Sequence, residues 1–159
     1  MRRALFPLIL ALAMVAGGWL YLSRPVAQAQ GTNRVFTVLS SAARTATTSS
    51  SDYTNLSENL NVRGAYITLD VTAISGSPSI VLSIQAKDYT SGKYESVLTA
   101  SAAVVGTGTH TYLVYPGAGS AAADVTQSVS FPLPPMWRIT VTHANTNTIT
   151  YSVNALLLN

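Results

Sequence analysis

Apolar and hydroxyl-bearing residues alternate along several stretches of this chain, and this alternation constrains the fold more than any other feature. In residues 65–72, the apolar side chains occupy the odd-numbered positions, and the polar ones, together with Tyr66, occupy the even-numbered positions. Residues 137–142 and 149–157 repeat the pattern. A period of two places successive side chains on opposite faces of a β-strand, whereas an amphipathic helix has a period near 3.6. We therefore expect half-buried strands.

Turn-forming residues at 75–78, 88–93 and 145–147 separate these runs. The turns at 88–93 and 145–147 predict two hairpins, one over 80–100 and one that joins the strands at 137–142 and 149–157. About seven strands are expected, at 35–39, 65–72, 80–86, 94–100, 109–115, 137–142 and 149–157. The body has no stretch with helical periodicity. The pattern predicts an all-β fold, an antiparallel β-sandwich of jelly-roll or immunoglobulin-like type, preceded by an N-terminal hydrophobic helix.

The N-terminus has the features of an export signal. Arg2 and Arg3 precede an apolar run at 4–22, and Ala27 and Ala29 form an A-x-A site. Cleavage is expected after Ala29. The alternative is a retained membrane anchor, because nineteen helical residues span roughly 28 Å, close to the hydrocarbon thickness of a bilayer. Both alternatives predict an extracytoplasmic body, secreted or anchored at the cell surface, which touches the membrane only through 4–22 if uncleaved.

Residues 40–59 are mostly Ser, Thr, Ala and Asn, and this low complexity predicts a linker or a loosely held arm. The expected organisation has three parts. Residues 1–29 form the signal peptide or anchor, residues 30–60 a Ser/Thr-rich arm with a possible first strand, and residues 61–159 the β-sandwich body.

The charge of the body argues against a nucleic-acid partner. From residue 30 onward there are six cations and six acids, so the body is formally neutral, and its cations are scattered singly. Proteins that bind nucleic acid through the phosphates need a clustered basic face. The chain also has no cysteine, which excludes disulfides and cysteine-ligated metal sites.

Residues arranged for catalysis are not apparent. Most body carboxylates fall in turns or loops, and His110 and His143 belong to no metal-binding motif. The sequence contains no G-x-S-x-G elbow and no phosphate-binding loop with its lysine. We therefore expect a protein that is not an enzyme, with no catalytic residues, no cofactor and no metal.

Aromatic residues are the candidates for ligand contact. Tyr89 and Tyr94 flank the predicted hairpin tip, and exposed aromatic rings on a β-sandwich can stack on sugars. The alternative is that the two tyrosines brace the hairpin by cross-strand contact. Trp137 shares a strand face with Ile139 and Val141, which favours a place in the core.

The hydroxyl content of the body indicates assembly. From residue 30 onward, 36 of 130 residues are Thr or Ser, and only Lys87 and Lys93 supply lysine. Soluble monomers usually protect sheet edges with lysine, proline or inward-pointing charge. Neutral hydroxyls also cost less to desolvate than ions. A homo-oligomer or larger protein assembly is therefore expected.

A possible inter-subunit strand lies in the arm. Val35, Phe36, Val38 and Leu39 form an apolar segment that could pair with the sheet edge of a neighbouring subunit. The alternative is that this segment pairs within its own domain. The two alternatives differ in whether the arm is needed for assembly.

Several stretches resemble small all-β proteins encoded among the structural genes of tailed bacteriophages. They are RGA at 63–65, LDVT at 69–72, IQAKD at 84–88, SGKY at 91–94, VYPG at 114–117, WRITVTH at 137–143 and ITYSV at 149–153. The resemblance spans most of residues 35–158. It implies a virion-type structural or surface-decorating role, with no cofactor and no catalytic residues. The export signal departs from this pattern, because phage head proteins assemble in the cytoplasm.

Together these features predict an exported, non-enzymatic structural protein that packs against its own copies or decorates a larger surface assembly. That assembly could be a virion-like shell, a filament or a cell-surface layer. The alternative is a module that binds cell-surface glycans or mediates adhesion through Tyr89 and Tyr94.

Overall fold

The computed structural model describes residues 34–54, 62–119 and 124–159, all within one compact unit, Gly31–Asn159. Every regular element in these ranges is a β-strand. The ten strands are β1 (Arg34–Arg44), β2 (Thr48–Ser49), β3 (Tyr53–Thr54), β4 (Gly64–Ile74), β5 (Ile80–Lys87), β6 (Tyr94–Thr99), β7 (Gly108–Val114), β8 (Gln127–Val129), β9 (Met136–His143) and β10 (Ile149–Leu158). A helix long and apolar enough to cross a membrane is not found among these residues. The signal or anchor predicted at 1–29, with its hydrophobic helix, lies outside them.

The strands form two sheets that pack against each other. Sheet A has the order β1-β10-β4-β7-β8, and sheet B has the order β2-β9-β5-β6, with β3 also pairing with β9. All pairings are antiparallel except that of β7 with β8. The predicted all-β class is confirmed for the described residues.

Pairing along the chain is nested. The first long strand, β1, pairs with the last, β10; β2 and β3 pair with β9, β4 with β7, and β5 with β6. The chain therefore runs as one long antiparallel ribbon that wraps around the core. As a result, strands from the two ends of the chain are neighbours in both sheets.

Side-chain alternation accounts for the long strands. In β10, odd-numbered residues are buried and even-numbered residues are half-exposed along the whole strand. The predicted strands coincide with β1, β4, β5, β6, β7, β9 and β10. The hairpin predicted at 80–100 is formed by β5 and β6, but the hairpin predicted around 145–147 is wrong, because β9 and β10 lie in different sheets. The strands that the sequence does not reveal are β2, β3 and β8. They have only two or three residues each, too few to show a period.

Residues 40–54 differ from the expected linker. The second half of β1 continues along β10 to Arg44, and β2 and β3 lie along β9. Hydroxyl groups hold the intervening chain, because the Thr47 Oγ1 accepts from His143 N at 3.1 Å and the Ser50 Oγ accepts from Ile139 N at 3.1 Å. Serine and threonine residues in this low-complexity stretch thus make specific hydrogen bonds to the backbone of β9. The predicted boundary at residues 60 and 61 lies outside the described residues.

The core lies between the inner faces of the two sheets. Trp137 is fully buried, which confirms its predicted place in the core. The other large, fully buried side chains are those of Tyr112, Tyr151, Ile67, Leu69, Ile80, Leu82, Ile84, Ile139, Ile149, Val114 and Val141. These side chains come from β4, β7 and β10 of sheet A and from β5 and β9 of sheet B, so burial of both inner faces stabilises the fold.

Candidate functional site

The turn between β5 and β6 is built around Asp88. Its Oδ1 accepts hydrogen bonds from the backbone N of Ser91 at 2.5 Å and of Thr90 at 2.9 Å. The Ser91 amide, followed by the Ser91 hydroxyl, lowers the pKa of the Asp88 carboxyl. Gly92 takes the left-handed φ of 67° that the tight turn requires. The turn thereby presents Tyr89 at its tip with 58% of its surface exposed.

Tyr94 lies at the base of the same hairpin in a different environment. The guanidinium Cζ of Arg138 stands 3.3 Å from the centroid of its ring, and its hydroxyl donates to the Asp52 Oδ1 at 2.8 Å. The side chain is half-buried. The structure therefore places one predicted contact residue, Tyr89, in solvent and the other, Tyr94, against a cation and a carboxylate.

Asp52 joins Tyr94 to Lys87. The Lys87 Nζ donates to the Asp52 Oδ2 at 2.6 Å, and both side chains keep about a quarter of their surface exposed. The bond from Lys87, followed by that from Tyr94, holds the pKa of the Asp52 carboxyl below its ordinary value. The bond to Asp52 raises the pKa of Lys87. The pair fastens the loop before β3 to the β5–β6 hairpin.

Hydrogen bonds extend this arrangement across the outer face of sheet B. The Arg138 Nε donates to the Gln85 Oε1 at 2.8 Å, and the Thr140 Oγ1 donates to the same oxygen at 3.2 Å. The hydroxyls of Thr140 and Ser49 are 2.9 Å apart. We call the connected residues the polar network: Ser49, Asp52, Gln85, Lys87, Tyr94, Arg138 and Thr140.

The polar network is suited to binding strands together. Asp52 is its single carboxylate, and both carboxylate oxygens already accept hydrogen bonds from within the network. In the described ranges, no three side chains of His, Asp or Glu converge to hold a metal ion. The two histidines lie in different sheets, His110 in β7 and His143 at the end of β9.

The predicted inter-subunit strand lies in β1, which pairs with β10 of its own chain. Phe36 and Val38 turn toward the core, and Leu39 packs against it. Val35 points the other way and is 71% exposed. The segment thus pairs within its own domain, as in the alternative interpretation, and its pairing with a neighbouring subunit stays a prediction. The other edge of β1 pairs with no strand in the described part of the chain.

The outer face of sheet A carries an apolar feature that the expectations from sequence do not include. Val35 pairs with Leu156, Leu156 with Tyr66, and Tyr66 with Leu113. These four side chains, which we call the outer apolar row, cross the sheet on the face turned away from the core. None of the four is among the residues that pack against the core.

The next positions along the strands extend the outer apolar row. Leu158 pairs with Gly64, and the ring of Tyr115 lies over Gly64, where a Cβ would come within 2.5 Å of the Tyr115 Cδ2. The Arg63 guanidinium is 5.6 Å from the Tyr115 ring. On the other side of the row the face is polar, because Thr37, Asn154 and Thr68 form the adjacent cross-strand positions.

A sequence signal for this row exists. Residues 112–114 and 156–158 are three consecutive apolar residues, so each run must place apolar side chains on both faces of its strand. In strands 65–72 and 137–142 the alternation is clean by comparison. Broken alternation at strand ends is therefore the pattern that predicts an apolar outer surface here.

A scan against protein-family models and a search of curated proteins find no match for this chain.

Proposed function

We propose that this chain is a non-enzymatic, exported structural protein that works by packing against copies of itself or against a larger surface assembly. The observation that supports the proposal most directly is the outer face of sheet A. Of the residues of β4, β7 and β10 that point away from the core, only Asp70 is charged, and it accepts a hydrogen bond from the Thr109 Oγ1 at 3.1 Å. Such a face is desolvated at little cost, so it suits contact with protein.

The nested pairing favours the jelly-roll alternative over the immunoglobulin-like one. In a jelly roll, two Greek keys arise from a ribbon whose strands pair from the ends inward, whereas immunoglobulin sheets bring different strands together. Jelly rolls occur in viral capsid proteins and in lectins. Because the fold serves both functions, the choice between them rests on surfaces and not on topology.

The proposal includes export and a virion-like type of assembly. The resemblance to phage structural proteins supports a shell-forming or decorating role. The signal or anchor predicted at 1–29 supports a location outside the cytoplasm, in a filament, a cell-surface layer or an envelope-associated particle. N-terminal sequencing of the protein from its native source distinguishes a mature chain starting at Gln30 from an anchored chain starting at Met1.

Sedimentation velocity of the full chain over a hundredfold concentration range tests the proposal. We expect oligomers, and electron microscopy of the native material should show ordered particles or fibres. The detergent that keeps residues 4–22 soluble is held constant, and an unrelated protein with the same anchor serves as the control. A chain that remains strictly monomeric at every concentration contradicts the proposed function.

A glycan-binding module is the second candidate, and the exposure of Tyr89 at the hairpin tip favours it. Tyr94 contributes less, because Arg138 covers one face of its ring. On a glycan array, the second candidate predicts binding that Tyr89→Ala abolishes and Thr90→Ala retains. An array on which the native chain binds no glycan contradicts it.

A further inference from the structure

We propose that the outer face of sheet A is the contact surface between two copies of this chain, with the outer apolar row at its centre. The inference rests on the proposed function and deepens it, because it names the partner and the face. Antiparallel sheets that border water normally turn polar residues outward. Here Val35, Leu156, Tyr66 and Leu113 form a continuous apolar line across four strands of that face.

The size of the face fits a second copy. β1 and β4 have 11 residues each and β10 has 10, and a strand of this length extends about 35 Å. Four long strands at their usual spacing give a face on the order of 600–700 Å². Each partner in a standard-size protein interface buries about 800 Å². The face therefore approaches the area that a stable dimer needs.

Charge also selects a second copy over other partners. Asp70 is the single charged residue among the outward positions of β4, β7 and β10, and the Arg63 guanidinium lies beside them at the Tyr115 ring, so two such faces carry few like charges to repel each other. A strongly charged partner, or an anionic lipid surface, finds few opposite charges there. The outer face of sheet B differs because it carries charged side chains, namely the ion pair of Lys87 with Asp52 and the guanidinium of Arg138.

We expect the two copies to pack sheet against sheet, as sheets A and B pack in the core of each copy. Two sheets can stack face to face at about 10 Å with their strands inclined by about 30°. A two-fold axis through the outer apolar row would bring Tyr66 and Leu156 of each copy against the same row of the other copy. Thr68 and Asn154, in the adjacent cross-strand line, would lie near the rim of the apolar contact.

Cysteine cross-linking tests the proposal directly, because the native chain contains no cysteine. Thr68→Cys places a thiol beside the outer apolar row, and Ser96→Cys places one on β6 of sheet B as the matched control. Full-length variants are treated with a short bifunctional maleimide. We expect covalent dimers from Thr68→Cys and at least tenfold fewer from Ser96→Cys.

A second set of variants keeps the test independent of cross-linker geometry. Replacing Val35, Leu113 and Leu156 by Thr retains β-propensity and should raise the dimer dissociation constant by roughly 100-fold or more. In the control, three exposed apolar residues that lie outside the row are replaced by Thr. They are Ile74, Val105 and Phe131. Circular dichroism checks that both triple variants fold.

The outcomes separate the two proposals. Oligomers that persist in the row variant, or cross-links that favour Ser96→Cys, overturn the inference and leave the proposed function standing. A native chain that is monomeric throughout overturns both. If the monomer binds phosphatidylcholine vesicles through the row, the face contacts lipid and the inference is wrong. The inference is also wrong if, in the monomer, a monofunctional maleimide does not reach the thiol introduced by Thr68→Cys, because residues 4–22 then cover the face.

Discussion

Single residues in this fold are constrained most where backbone or ring atoms approach closely. Gly64 is the clearest example, because a Cβ there would collide with the Val114 carbonyl oxygen and with the ring of Tyr115. The sequence at 63–65 shows a glycine before a strand, which ordinarily indicates a turn. The structure shows instead that the missing side chain lets the Val114 carbonyl oxygen and the Tyr115 ring come close to the Gly64 backbone.

Gly64→Ala should therefore lower the free energy of unfolding by about 2–3 kcal/mol, because the overlap forces β7 away from β4. Gly106→Ala is the matched control, since nothing lies within 4 Å of its Cβ position. The control should stay within about 0.5 kcal/mol of the native chain. Urea unfolding measures both changes. Equal stability of the two variants would show that β7 yields without cost.

Tyr112 has a hydroxyl that gains nothing from burial. The side chain is fully buried, no hydrogen-bond partner for its hydroxyl is found among the described residues, and burial raises its pKa. Tyr112→Phe should leave stability unchanged or raise it by about 1 kcal/mol. Tyr151→Phe is the control, because the Tyr151 hydroxyl lies 3.4 Å from the His143 Nε2. Thermal unfolding in which Tyr112→Phe is clearly less stable than native would reveal a partner, such as a bound water.

His143 makes stability depend on pH. Burial, followed by the charge of Arg44, lowers the pKa of its imidazole below the ordinary value of 6.5. The unfolded chain therefore binds more protons below about pH 6.5, and stability falls as pH drops from there through the folded pKa. The native melting temperature should fall between pH 7.5 and 5, and His143→Gln should reduce that fall. A native profile that is flat over this range would contradict the expectation.

At the scale of elements, β1 shows how one strand serves two surfaces. Phe36 turns inward, and its ring centroid lies 4.9 Å from that of Tyr53, which in turn lies 4.9 Å from that of Trp137. This aromatic group closes the side of the fold where β1 and β3 meet. Val35, one residue earlier, points to the outer face of sheet A.

Neighbouring substitutions in β1 should accordingly have different effects. Phe36→Ala should cost about 2–3 kcal/mol of unfolding free energy, because it opens the aromatic group. Val35→Ala should change stability by less than about 0.5 kcal/mol. Urea unfolding of the two variants at low protein concentration gives the comparison. Similar losses would mean that the two faces of β1 are equally buried.

Sequence patterning predicts the elements better than it predicts their surfaces. The long strands could be found because alternation over six or more residues has a single explanation. β2 and β3 could not, because their positions depend on hydrogen bonds to β9, more than 80 residues away in the chain. Tyr89 and Tyr94 read alike in sequence, and only the fold brings Arg138 and Asp52 to one of them. The outer apolar row likewise depends on the register of four strands.

For the whole molecule, the two outer faces have opposite chemistry. Sheet A presents an apolar line bordered by hydroxyls, while sheet B presents the polar network with its ion pair. The chain thus has one outer face with few charges and one outer face that carries an ion pair. Assembly through sheet A would leave Tyr89 and the polar network accessible on the opposite side.

We expect the cooperative folding of sheet A to depend on β10. β10 lies between β1 and β4 in sheet A. Deleting residues 149–159 removes the partner of both neighbours and should leave the chain unfolded and insoluble, whereas deleting Asn159 alone should leave it folded. Solubility and circular dichroism of the two truncated chains check this. A folded protein without β10 would mean that β1 and β4 can pair directly.

The position of β10 also bears on when this protein can fold. Sheet A cannot close before the ribosome has made β10, which begins more than 70 residues after β4 ends and lies between β1 and β4. Until then β1 and β4 lack β10, the strand with which both of them pair. If the chain is exported as proposed, a channel that threads unstructured polypeptide would meet a chain that is still unfolded, and folding would finish on the far side of the membrane.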